Sequence, residues 1–154
     1  MSIYNKYSNT CSHDDSCIYV DIGEIVISKN KLYTAEVGSC SVLMFHLLEH
    51  NIMVHIDAII TKADIVIDSI LKHFTMSDLK TNNYKIFLIV GPWCNNHCYN
   101  KNSHNDCECN SITIANQILT QLQIIDKLHV FDKEKYNVSW NDTIWFNKTI
   151  NISN

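Results

Sequence analysis

Apolar positions along the chain fall into short runs and helical stripes broken by polar punctuation. CIYVDIGEIVIS (residues 17–28) alternates and is rich in Ile and Val, which predicts a strand or a bent pair of strands. Residues 29–40 read as a turn and a short extended piece, with Gly38 permitting a sharp bend ahead of Ser39 and Cys40. SVLMFHLL (41–48) is a continuous apolar strand, Glu49-His50-Asn51 a turn, and IMVHIDAI (52–59) the returning strand of a buried hairpin. KADIVIDSILKHF (62–74) carries apolar residues at 65, 66, 67, 70, 71 and 74, a helix packed on a sheet. Thr61 is its candidate N-cap, with Asp64 at the acidic position three residues on. KIFLIVG (85–91) is a strand. SITIANQILTQLQI (111–124) is a second helix, capped by Asn110 or Ser111, with Ile114, Ile118, Leu119 and Leu122 on one face. KLHVF (127–131) is a strand, and residues 142–153 form a final strand or hairpin. Strands, helix, strand, helix, strands is the order of one α/β domain with a mixed sheet and helices on at least one face. Residues 1–16 are polar and read as a flexible N-terminus, residues 17–154 as a single domain, and 92–110 as its most loop-like insertion.

Composition narrows what such a domain does. With 154 residues it can bury a core without staples, and 46% hydrophobic against 18% charged residues excludes a disordered chain. The net charge is -4, and all 12 basic residues are lysines scattered along the chain. That argues against a nucleic-acid partner and excludes a site built on bidentate arginine. Three glycines and one proline argue against a glycine-loop nucleotide site. No 18-residue apolar run exists for a membrane span, and the polar start does not read as a signal peptide. Seven cysteines cannot all pair within one chain, so some thiols are expected free, and a cytoplasmic, reducing location is the reading. The sequons at Asn137, Asn141, Asn147 and Asn151 then reflect composition.

A nucleophilic cysteine needs a base, and the base needs an orienting group. Cys40 sits at the mouth of a strand, and His55 lies 15 residues on, on its hairpin partner. Thr34 can offer a hydroxyl to the imidazole, and the backbone at the Ser39-Cys40 bend can offer an oxyanion site. On spacing alone, a buried structural cysteine beside a core histidine is the better reading.

The wording around these residues adds to that. Thr34-Ala35-Glu36-Val37-Gly38-Ser39-Cys40, an apolar strand and then Val54-His55-Ile56-Asp57 resemble the chemoreceptor glutamine deamidases (CheD), with their T-x-L-G-S-C motif and downstream G-x-x-H. The stretch from His55-Ile56-Asp57 through Thr61-Lys62-Ala63-Asp64 to Ser69-Ile70 resembles the protein N-terminal asparagine amidohydrolases, with H-x-D, a T-K-A-E step and a helix ending near S-I. The likeness covers about residues 17–75, and 85–131 by order of elements alone. It implies an α/β/β sandwich and a cofactor-free amidohydrolase acting on a protein or peptide substrate. Cys40 would be the nucleophile, His55 the base and Thr34 its orienting group, with Ser39 and Asp57 binding substrate. An N-terminal Asn is the expected target, and an internal Gln the alternative. A further alternative is a catalytically silent interaction module holding zinc. Cys94, Cys98, Cys107 and Cys109, with His97 and His104, would supply its ligands, although their spacings do not match the usual zinc knuckle.

Overall fold

The hairpin expected around residue 49 forms the centre of a five-stranded sheet. The computed structural model describes residues 16–92, 110–130 and 138–153. The expected flexible terminus (except Ser16) and the Cys-rich loop (except its ends) lie outside them. In chain order the elements are β1 (Cys17–Tyr19), β2 (Ile25–Ser28), β3 (Lys31–Ala35), β4 (Ser41–Leu47), β5 (His50–Ile56), α1 (Ala63–His73), α2 (Met76–Thr81), β6 (Ile86–Val90), α3 (Asn110–Gln121), a 3-10 turn (Ile125–Lys127), β7 (Leu128–Val130), β8 (Thr143–Asn147) and β9 (Thr149–Ser153). One sheet runs β2-β5-β4-β6-β7 and the other β1-β3-β8-β9. Both are mixed: β1 pairs parallel with β3 and β6 with β7, and the other pairings are antiparallel.

The continuous apolar character of β4 and β5 has a direct cause: both faces of these strands are covered. Leu43, Phe45, Leu47, Ile52, Val54 and Ile56 pack against the helices, with Val66, Ile67 and Ile70 of α1 and Ala115, Ile118 and Leu119 of α3. Val42, Met44 and Met53 point the other way, onto Leu32, Ile144 and Phe146 of the four-stranded sheet. The result is an α/β sandwich of three layers: helices, five-stranded sheet, four-stranded sheet.

Several expectations shift in detail. Residues 17–28 are two strands, and they belong to different sheets. The turn between them holds Gly23 at φ +86°, where an added Cβ would lie 2.5 Å from Ile60 Cγ2. The β4–β5 turn is Leu48-Glu49, both left-handed (φ 48° and 75°), so His50 already belongs to β5. The returning strand stops at Ile56, because residues 57–61 fold into a turn closed by Thr61 N–H on Asp57 O. Thr61 therefore does not cap α1. Lys62 occupies that position without a side-chain bond, and the Thr61 hydroxyl accepts the Asp57 N–H instead. Ile65 and Leu71 of α1 face outward. Asn110 and Ser111 are the first helical residues of α3. The added element, α2, is short and held by a capping box between Thr75 and Asp78.

Asn51, 1% exposed, ties the far end of the sandwich together. Its amide donates to Asn30 O and Asn147 Oδ1, and its oxygen accepts the Lys148 N–H.

Candidate functional site

The other end of the sandwich gathers the residues singled out in the sequence. Ser41 pairs with Ile56 and Val42 with His55. One step beyond, Cys40 faces Asp57, and its Sγ lies 3.6 Å from Asp57 Oδ2, with the thiol as donor. His55 is the diagonal neighbour of Cys40 on the face turned toward the second sheet. Such neighbours stand about 7–8 Å apart along the backbone and within side-chain reach. Cys40 is buried and takes part in no disulfide. Among the described residues Cys17 is the other cysteine, and it is disulfide-bonded.

The second sheet supplies the group that orients His55. Thr34, fully buried on β3, places its Oγ1 2.6 Å from His55 Nδ1 and donates to Val20 O at 2.7 Å. A hydroxyl has one proton. With that proton on Val20 O, Thr34 must accept from His55, so the network assigns the hydrogen to Nδ1. Nε2 is left with its lone pair outward. It is buried and has no hydrogen-bond partner among the described residues.

Burial lowers the His55 pKa from 6.5 to about 4, outweighing the opposing pull of the Asp57 and Asp21 carboxylates. The imidazole is thus neutral at pH 7 and able to accept a proton. Asp57 behaves oppositely. Burial raises its pKa, but the N–H groups of Ile60 and Ile59, the Cys40 thiol and His55 together bring it below the ordinary 3.8. Its Oδ1 accepts both N–H groups at 2.9 Å, which leaves Oδ2 as the oxygen facing the thiol.

The bend carrying Cys40 is built differently from expectation. Its left-handed residue is Glu36 (φ 59°) rather than Gly38. The glycine required by close packing is Gly91: a Cβ there would stand 2.1 Å from Gly38 O and 2.7 Å from Cys40 O. Gly91 N–H donates to Cys40 O at 2.9 Å, locking the end of β6 to the bend. Ser39 is exposed, and its carbonyl accepts the Ser111 hydroxyl, which also bonds Ser41 Oγ. Sequence reading missed Val20, Gly91 and Ser111 because each acts through backbone atoms or across a long chain separation. Thr61 left a trace: a hydroxyl four residues after Asp57 suits a side-chain-closed turn.

The same turn borders a cleft of about 580 Å³ between α1 and α3, lined by Ala58, Thr61, Lys62, Thr113, Gln117 and Gln121 among others. Among the described residues no cluster of three or more metal-binding side chains occurs. The zinc alternative at Cys94, Cys98, Cys107 and Cys109 lies outside them. No described helix is long and apolar enough to cross a membrane.

No protein-family model matches the chain, and no curated protein does.

Proposed function

We propose that the chain is a cysteine-dependent amidohydrolase that converts the side-chain amide of a protein N-terminal Asn to a carboxylate, releasing ammonia. The observation that carries this reading is the Thr34–His55 pair, which leaves a neutral imidazole with an unpartnered Nε2 beside the strand end that bears Cys40. A structural histidine would be expected to bond through both nitrogens, because an unsatisfied buried polar atom costs about 1–3 kcal/mol.

In the proposed reaction His55 Nε2 takes the Cys40 proton as sulfur attacks the carboxamide carbon. The oxyanion formed in this step calls for backbone N–H donors near the bend that carries Cys40. The imidazolium gives its proton to the departing nitrogen, ammonia leaves, and a thioester remains. Nε2 then takes a proton from water, hydroxide attacks the thioester, and the proton returns to sulfur as the carboxylate product departs. The balance is carboxamide plus water to carboxylic acid plus ammonia, and no cofactor enters. Ionised Asp57 beside the nucleophile favours a substrate with an α-ammonium, hence an N-terminal residue over an internal Gln.

The test is ammonia release from two peptides, one starting with Asn and one carrying an internal Gln, with wild type and Cys40→Ala side by side. Release from the first alone, lost in the variant, is the expected result. Release from internal Gln would move the activity to the glutamine deamidases. Release that survives Cys40→Ala, or none at all, would remove the proposal.

A further inference from the structure

Nucleophile and base are not joined in this structure. The Cys40 thiol donates to Asp57 Oδ2, while His55 Nε2 has no partner among the described residues. The Asp57 carboxylate cannot turn away to release the thiol, because its other oxygen is anchored by the N–H groups of Ile59 and Ile60. A stronger donor that takes Oδ2 displaces the thiol, whose own bond to it is weak and 3.6 Å long, and leaves Cys40 to turn to the base.

We infer that the donor is the α-ammonium of the substrate's own N-terminus: its arrival on Asp57 Oδ2 displaces the Cys40 S–H and hands it to His55 Nε2. This rests on the hydrolase reading and goes beyond it, because the amine becomes a trigger as well as an anchor. The exchange is favourable in kind. A thiol is a weak donor, whereas an ammonium on a carboxylate forms a charge-assisted bond roughly twice as strong as a neutral one. The dimensions also fit. In an N-terminal Asn the amine nitrogen and the carboxamide carbon are three bonds apart, about 3–4 Å. Asp57 Oδ2 and Cys40 Sγ are separated by 3.6 Å. One residue can therefore place its ammonium on the carboxylate while its carboxamide carbon stands at attack distance, about 3–3.5 Å, from sulfur. An internal Asn or Gln, or an acetylated N-terminus, has no ammonium at this place and leaves the thiol on Asp57. The displacement exchanges hydrogen bonds only; no covalent bond changes until sulfur attacks.

Asp57→Asn isolates the device. Its oxygen can keep the two turn N–H groups, while its NH2 puts a donor where the thiol needs an acceptor. The rate of iodoacetamide labelling of Cys40, followed by mass spectrometry of the Cys40 peptide, should rise roughly tenfold in this variant without substrate, as release to an adjacent base gives. Calorimetry on Cys40→Ala should show an Asn-starting peptide binding at least roughly tenfold tighter than its N-acetylated form, a factor of one charge-assisted bond. That preference should vanish in Cys40→Ala/Asp57→Asn. Labelling no faster in a folded Asp57→Asn protein, or equal binding of the two peptides, overturns the inference. Neither readout needs turnover. If both behave as expected while no peptide releases ammonia, the hydrolase reading fails and the amine site stands.

Discussion

Thr34 has one hydroxyl proton and directs it to Val20 O, so what it offers His55 is a lone pair. Thr34→Val removes the acceptor while keeping the shape. It should lower kcat for ammonia release by about 10²-fold, the scale of a misoriented general base, and Thr34→Ser should restore most of it. A purely structural role would lower Tm in Thr34→Val without this recovery of kcat by serine. That Cys40, His55, Thr34 and Asp57 would lie together was legible in the sequence, because their residue types suit one chemistry and the hairpin fixes two of them on adjacent strands. Their arrangement was not. The acceptor of the Thr34 proton is a main-chain carbonyl, and main-chain atoms leave no mark in residue identity. Ser111 meets Ser41 across 70 residues, a separation local pattern does not reach.

The elements were legible wherever burial imposes a period. Continuous apolar runs gave β4, β5 and β6, and the spacing of Ile118, Leu119 and Leu122 gave the inner face of α3. Boundaries moved where side chains compete for backbone groups, as when the Thr61 hydroxyl closes the Asp57 turn and leaves α1 to Lys62. The β4–β5 turn moved for another reason. Its two residues, Leu48 and Glu49, are left-handed without being Gly, Asn or Asp, so nothing in the wording marks a tight hairpin. Replacing them by Asn-Gly should relieve this strain and raise stability by about 1 kcal/mol in denaturant titration. The Lys29–Glu49 ion pair, exposed on both sides, is lost in this variant and offsets little of the gain. A variant less stable than wild type would mean that Leu48 packs usefully despite its 48% exposure.

At the scale of the whole molecule, the layering explains why His55 is buried between two sheets and why the protein should lose stability in mild acid. The apolar pattern called for an α/β domain with one mixed sheet; the sandwich with mixed sheets, which the family resemblance implied, is what the structure has. β1 and β3 alternate too briefly to reveal which sheet they join, and the pairing of β3 with β8 spans most of the chain. Closing the second sheet over His55 strips its water, and its pKa falls to about 4 in the folded protein from 6.5. Between these values the unfolded chain binds a proton that the folded chain refuses, so folding stability rises with pH through this window. The contribution is complete above about pH 6.5 and is lost as the pH falls toward 4, about 3 kcal/mol in all. The charged groups acting on the ring are Asp57 and Asp21. The turn N–H groups hold the Asp57 carboxyl below its ordinary range, so its own protonation belongs to the acid edge of this window and below, and most of the slope is that of His55. Denaturant titrations from pH 7 to pH 4 should therefore show falling stability in wild type and a flatter profile in His55→Gln, which has no proton to take up. Equal slopes in the two proteins would mean that His55 titrates normally and that the second sheet does not exclude water from it.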